Sequence, residues 1–301
     1  MKTFQGKTAV ITGAASGFGL ETSRLAARRG MNIVMADVQQ DALDRAAAEV
    51  EALGAKVLPF RLDVAKAAEV EAMGAATLAR FGAPHLVFNN AGVSSGGLIW
   101  EHSLKDWEWI VGVNLMGVAH GIRVYTPMML QAAADDPAYE GHIVNTASMA
   151  GLVNMPNSGS YNATKSAVVA MSETLYQDLS LVTEQIRCSV LCPYYVPTGI
   201  IHSDRNRPAE LAEAKPPTRS QLVAKALGEK AVSSGKITAA QIAEWVMGAV
   251  ESGRFYIYSH PHALAPVRAR MEDIVQGRNP SDPFQERPQL GENLRRAIRE
   301  G

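Results

Sequence analysis

Short apolar runs alternate with longer helical patterns along most of this chain, and few folds accept that rhythm. Thr8 to Thr12, Asn32 to Ala36, Lys56 to Leu62, Leu86 to Phe88, His142 to Thr146, Arg187 to Leu191 and Arg254 to Tyr258 read as strands. Leu20 to Gly30, Ala42 to Leu53, Lys66 to Phe81, Trp107 to Leu130, residues 159–182 and Thr238 to Glu251 read as helices. Strand and helix in turn imply a parallel sheet covered on both faces, since a parallel connection needs a crossover. Right-handed crossovers then wind the chain in both directions from the middle and gather ligands at the carboxyl ends of the strands.

The first strand stops at Gly13 and runs through Gly13-Ala14-Ala15-Ser16-Gly17-Phe18-Gly19 into a helix. Free backbone N–H groups and the positive end of the helix dipole make such a turn an anion cradle. Glycines serve where the chain turns tightly and where a pyrophosphate approaches the backbone. The second strand ends at Asp37, placed to accept hydrogen bonds from the adenosine ribose of NAD. It would repel a 2′-phosphate by roughly 4 kcal/mol at about 4 Å. No arginine or lysine stands in the glycine turn or directly after Asp37 to offset this. NAD is expected, with NADP disfavoured. The expected architecture is α/β, a single doubly wound Rossmann-type domain over residues 1–258 with a seven-stranded parallel sheet.

Tyr161 and Lys165 are four apart in a helical pattern, so both lie on one helix face. Free tyrosine has a pKa of about 10. An ammonium about 4 Å away is worth roughly 4 kcal/mol, about three pKa units, which makes the phenol a usable base. Ser148, just past the fifth strand, could donate to a substrate oxygen, although a loop serine is more commonly a turn residue. Asn114 sits inside a helical pattern, where its amide competes for backbone groups. It reads as the cap of a local break, a holder of water, or a satisfied polar residue on the helix surface.

Lys+Arg 29 against Asp+Glu 30 gives a net charge of −1, which favours neither nucleic acid nor an anionic membrane. The first seven residues have no apolar signal core, and no run is long enough to span a bilayer. Cys188 and Cys192 share a strand face about 13 Å apart, too far for a disulfide. Buried thiols and a cytoplasmic location are the expectation. Residues 193–238, interrupted by Pro208, Pro216, Pro217 and Gly228, read as a substrate lid with short helices of its own or as an irregular insertion. His260 and His262 lack a third ligand and read as a turn, so no metal is expected. Residues 259–301 form a tail, helical over Leu264 to Val275 and Leu294 to Ile298, expected to pack on the body or on a neighbouring subunit.

Taken together, Thr12-Gly13-x-x-x-Gly17-x-Gly19, Asp37, Asp63-Val64, Asn89-Asn90-Ala91-Gly92, Asn114, Ser148 and Tyr161-x-x-x-Lys165 resemble the short-chain dehydrogenase/reductase family, in its compact branch. The resemblance spans roughly Lys7 to Tyr258. It implies that Tyr161 is the general acid/base, that Lys165 tunes it and holds the nicotinamide ribose, that Ser148 polarises the substrate oxygen and that Asn114 fixes a relay water. It implies cofactor contacts from Gly13, Ser16, Gly17, Phe18 and Gly19, from Asp37, Asp63 and Val64, from Asn90, Ala91 and Gly92, from Tyr161 and Lys165, and from Pro193, Val196 and Thr198. Homo-oligomerisation, as a homodimer or homotetramer through the helices at 106–130 and 159–182, is a further implication. One departure is Tyr194, where the family usually has glycine, which puts the local backbone path in doubt. The long tail is similar to that of bacterial members acting on benzylic secondary alcohols.

The expected function is NAD-dependent interconversion of a small-molecule secondary alcohol and a ketone. Ser148, Met149, Tyr161, Tyr194 and Tyr195 are the candidate substrate contacts. A catalytically silent NAD-binding redox sensor and a sugar-nucleotide epimerase are the rivals. The set Asn114, Ser148, Tyr161 and Lys165 argues against the first, and the glycine spacing against the second.

Overall fold

The computed structural model describes residues 1–213 and 215–300. Ala214, within the expected lid, and Gly301, the end of the expected tail, lie outside the described residues. The chain opens with β1 (Thr8–Thr12), α1 (Gly17–Arg28), β2 (Asn32–Asp37), α2 (Gln40–Glu51), β3 (Val57–Arg61), α3 (Ala67–Phe81) and β4 (Leu86–Asn89). It continues through α4 (Leu104–Val111), a π-helical segment (Gly112–Met116), α5 (Gly117–Asp135), β5 (Gly141–Thr146), α6 (Gly159–Val182) and β6 (Ile186–Cys192). Then come α7 (Arg219–Ser233), α8 (Ala239–Ser252), β7 (Tyr256–Tyr258), α9 (Ala265–Gln276) and α10 (Pro288–Arg299).

The seven strands form one parallel sheet in the order β3-β2-β1-β4-β5-β6-β7. Successive side chains on a strand face opposite ways, and β1 shows the consequence. Ala9 and Ile11 join Ala26, Leu43, Val50 and Val246 in one layer. Val10 joins Met73, Val124, Met129 and Leu179 in the other. Each large apolar side chain buried in these layers is worth about 1.5–3 kcal/mol. Helix starts follow local chemistry: Ser103, Thr218 and Thr238 each close a capping box with a side chain three residues on.

The strand order reverses between β1 and β4, so their carboxyl ends open a crevice at the switch point. The loops after β1 and β4 carry the glycine turn and Asn90–Gly92. No helix among the described residues is long and apolar enough to cross a membrane.

The long helix expected over Trp107 to Leu130 is present as a continuous helical run from α4 to α5, with the π-helical segment around Asn114 as its local irregularity. Over residues 199–236, 3-10 turns at Gly199–Asn206 and Ala209–Leu211 precede the full helix α7. α10 packs on α7, and Arg219 Nε donates to Ala297 O at 2.5 Å.

Candidate active site

The glycine turn is built for close approach. Gly13 has φ +64°, and a Cβ there would sit 3.0 Å from Ala91 Cα. A Cβ on Gly19 would lie 2.1 Å from Gly13 O, so α1 can meet β1 only through glycine. Ser16 stands at the α1 N-cap with no side-chain cap, and the first turn carries no acidic residue. The free N–H groups of that turn therefore open on the crevice.

Asp37 is held by two backbone donors. Ala15 N donates to Oδ2 and Gln39 N to Oδ1, each at 3.1 Å. This ties the end of β2 to the glycine turn. The parallel register sets Arg61 opposite Asp37, and Arg61 Nε donates to Val38 O at 3.3 Å. A basic residue thus occupies the strand position opposite the acid, a neighbour that chain order did not reveal.

Thr12 and Asn90 lock the switch point. Thr12 Oγ1 accepts from the backbone of Asn90 at 2.9 Å and of Ala91 at 3.1 Å. Asn90 Nδ2 donates to Thr12 O at 3.0 Å. Asp63 Oδ1 caps its own turn by accepting from Ala65 N at 3.0 Å.

Asn114 is fully buried, which corrects its reading as a surface polar residue. Its Oδ1 accepts from Val93 N at 2.8 Å, and its Nδ2 donates to Val93 O at 3.0 Å. The π-turn aims this amide at the loop after β4, in keeping with the tendency of such bulges to occur at functional sites. A Cβ on Gly92 would lie 3.3 Å from Asn114 Oδ1 and 3.6 Å from Lys165 Nζ, so Gly92 forms the floor between them.

Tyr161 and Lys165 come from the first turns of α6, and Lys165 Nζ lies 5.7 Å from the Tyr161 ring centre. The ammonium donates to Thr146 O at 2.9 Å. Burial works against the expected fall in the phenol pKa. Burial pushes Tyr161 up to about 12, opposed by a hydrogen bond with Ser148. Burial also brings Lys165 down to about 8. Desolvation outweighs attraction here because both groups leave water while their charged ends face different partners. Ser148 Oγ donates to Pro193 O at 3.3 Å and accepts from Ala150 N at 3.1 Å, joining the ends of β5 and β6.

One crevice collects most of the expected residues. From the cofactor set, Gly13, Ser16, Gly17 and Phe18 line it together with Asp37, Asp63 and Val64. Asn90, Ala91 and Gly92 lie at its floor, with Tyr161, Lys165, Pro193 and Thr198 beyond them. Gly19 packs behind the turn. Met149 and Val196 are corrections: at 2% and 3% exposure their side chains belong to the core, leaving only backbone for a ligand. Tyr194 and Tyr195 follow Pro193 but do not line the crevice themselves; they are 41% and 39% exposed, with ring centres 4.5 Å apart. Tyr194 does not adopt a positive φ, and its N–H donates to Ser259 Oγ at 2.8 Å, so the missing glycine leaves the backbone unstrained. Trp109, Arg205 and Asn206 also line the crevice. Sequence reading passed over them, because a tryptophan in an amphipathic helix and two polar residues in an aperiodic segment carry no pattern.

The residues fit a dinucleotide: an uncapped helix start behind glycines for the pyrophosphate, and a backbone-fixed carboxylate for the adenosine ribose. The comparisons agree. Residues 7–209 match the family model described as short chain dehydrogenase. A short-chain dehydrogenase/reductase from Burkholderia phymatum, solved in complex with NAD, is 50% identical and superposes with a TM-score of 0.91 over 94% of this chain and 99% of that one. The CLA biosynthesis dehydrogenase/reductase of Lactiplantibacillus plantarum is 35% identical over 91% of this chain and 95% of its own length. The C alpha-dehydrogenase of a Sphingobium species is 32% identical over 94% of this chain and 90% of its own. Asn114 and Ser148 do not line the crevice: Asn114 is buried behind Gly92, and Ser148 reaches it only through its hydrogen bond with Tyr161. A parallel sheet with its glycine turn at the switch point, Tyr161 and Lys165 on the crevice with Asn114 and Ser148 packed beside them, and these matches lead to one conclusion: the chain belongs to the short-chain dehydrogenase/reductase family of oxidoreductases.

Proposed function

We propose that this protein is an NAD-dependent alcohol dehydrogenase/ketoreductase interconverting a small-molecule secondary alcohol and a ketone. The observation that carries this reading is the meeting of Tyr161, Lys165 and Thr146 in the crevice that also holds the glycine turn and Asp37. When bound, the nicotinamide supplies the hydride acceptor or donor. Tyr161 Oη takes the substrate hydroxyl proton during oxidation and returns it during reduction. Ser148 Oγ, turned from Pro193 O toward substrate, donates to the same oxygen and stabilises its developing charge. Lys165, anchored on Thr146 O, keeps a positive charge below the phenol and holds the nicotinamide ribose. Asn114 keeps the π-turn open as a place for a relay water.

Asp37, with both oxygens already oriented by backbone, supports NAD over NADP. Tyr194 and Tyr195, directly after the crevice residue Pro193, support an apolar, aromatic-tolerant substrate region. Residues 193–238 serve as the lid, and residues 259–301 as an extension packed on the body. A homodimer or homotetramer through α4–α5 and α6 is in keeping with Leu181 and Val182, 81% and 66% exposed on α6. A cytoplasmic location completes the proposal.

NADH formation at mildly alkaline pH, with aliphatic, steroidal and benzylic secondary alcohols and NAD beside NADP, tests it. Turnover with NAD is the expected result. Turnover only with NADP overturns the cofactor assignment. NADH binding without any turnover favours the silent redox sensor.

A further inference from the structure

The glycine turn offers a pyrophosphate backbone N–H groups and a helix dipole, but no charged side chain. The residues from Gly13 to Leu20 are uncharged, and α1 carries its only last-turn cation at Arg28, at the far end of the helix. Two negative charges would therefore rest on neutral donors, with Asp37 and Asp63 adding like charge to the same crevice. A counter-charge brought from elsewhere in the fold would add to these neutral donors.

The segment after β6 passes over that part of the crevice. Thr198 Cγ2 lies 3.5 Å from where a Cβ on Gly17 would sit, which places the segment against the glycine turn. Eight residues further on, Asn206 Oδ1 accepts a hydrogen bond from Gln39 Nε2, two residues past Asp37. Between these attachments the 3-10 turn Gly199–Asn206 spans from the glycine turn to the ribose acid, pinned also by Ser203 Oγ, which accepts from Ser94 N at 2.9 Å.

Arg205 lies on this span and lines the crevice with Ser16, Gly17 and Phe18. One nitrogen, Nη1, donates to Gly199 O at 3.0 Å and to His202 O at 2.6 Å, which fixes the plane of the guanidinium. Nη2 lies 3.3 Å from where a Cβ on Gly199 would sit. Among the described residues Arg205 forms no ion pair, and its neighbour Asp204 pairs instead with Lys225 at 3.5 Å. Lys165, the other cation of the crevice, is committed to Thr146 O near the reaction centre.

We propose that Arg205 is the pyrophosphate-binding cation of this protein: the span Gly199–Asn206 straps the cofactor down, with the Arg205 guanidinium on the pyrophosphate and the Gln39–Asn206 bond as its fastening. The inference rests on the dinucleotide reading of the crevice. A planar guanidinium with one edge already anchored suits this task, since little freedom remains to be lost when its other edge meets phosphate oxygens.

Direct binding measures it without turnover. NADH is titrated by fluorescence, and ADP-ribose and adenosine by calorimetry, against the full chain, Arg205→Gln and Arg205→Lys. Arg205→Gln is expected to weaken NADH and ADP-ribose roughly ten- to a hundredfold, the loss of a charge-assisted contact. Adenosine, which has no phosphate, is expected to bind unchanged. Arg205→Lys should keep part of the affinity. The fall of NADH affinity with added salt should be steeper for the full chain than for Arg205→Gln. Unchanged NADH affinity in Arg205→Gln overturns the inference and leaves the proposed function standing. So does a loss shared equally by adenosine, or one with an unaltered salt dependence, since either marks a merely structural arginine. Failure of the unaltered chain to bind NADH overturns the dinucleotide reading itself.

Discussion

Lys165 directs its ammonium at the carbonyl oxygen of Thr146, 2.9 Å away and two residues before Ser148. This bond joins α6 to the end of β5, so the helix that carries Tyr161 and the loop that carries Ser148 cannot shift independently. It also places the lysine charge beneath the crevice floor, beside Gly92 and Asn114. The site is therefore held by one buried cation whose first duty is structural. Its effect on the phenol comes from position, not from direct contact.

Tyr161→Phe removes only the phenol oxygen. Turnover should fall by roughly 10²–10⁴-fold, the usual worth of a positioned acid/base. NADH affinity should stay within about threefold, since the glycine turn and Asp37 are untouched. Steady-state kinetics and NADH fluorescence titration read the two quantities, and retained turnover removes Tyr161 from the chemistry.

Asp37→Ala removes the carboxylate that Ala15 N and Gln39 N orient, and leaves Arg61 at the opposite strand position. The ratio of kcat/KM for NADP to that for NAD should rise at least about tenfold, given a like-charge repulsion of up to roughly 4 kcal/mol. An unchanged ratio contradicts the ribose assignment.

Gly19→Ala drives a Cβ to within 2.1 Å of Gly13 O, a backbone atom with no rotamer to escape by. The variant should lose about 1–3 kcal/mol of stability by thermal or chemical unfolding. NADH affinity should fall as well, because α1 is pushed off the turn that it completes. Wild-type stability in this variant would show that the helix start is looser than its packing implies.

His142 is fully buried on β5, with Nε2 2.7 Å from Ser189 Oγ, and burial lowers its pKa to about 3. An unfolded histidine titrates near 6.5. Between about pH 6.5 and 3 the unfolded chain holds more protons than the native one, so stability falls as pH falls through that window. His85, lowered to about 4 by burial, acts in the same direction. Urea unfolding at pH 7.5, 6 and 5 should show the decline, and His142→Gln should make it shallower. A parallel pH profile in the variant would exclude His142 as a source.

Much of this protein is legible residue by residue. The capping box at Thr238 marks α8 in the sequence, and the β-branched run before Gly13 marks β1. The helix over residues 159–182 and the separation of the two free cysteines along β6 follow from the same local rules. Asn114 was less transparent. An asparagine within a helical pattern signals a break, but neither its burial nor the backbone partner it finds at Val93 is a local property. Arg61 came to Asp37 through the register of two strands separated by α2, and Arg205 came to the crevice through the folding-over of an aperiodic segment.

By itself the sequence determined the alternation, and with it the parallel sheet, the switch point and the identity of the groups gathered there. Periodicity, capping and glycine spacing act within a few residues, so they can be read without coordinates. The tertiary structure alone decided where charge and water go. It desolvated Tyr161 and Lys165 enough to raise one pKa and lower the other, sent the lysine to Thr146, turned the side chains of Met149 and Val196 into the core, and brought Arg205 to the wall of the crevice. Desolvation and long-range juxtaposition depend on every element packed around a group, and no stretch of chain carries that information alone.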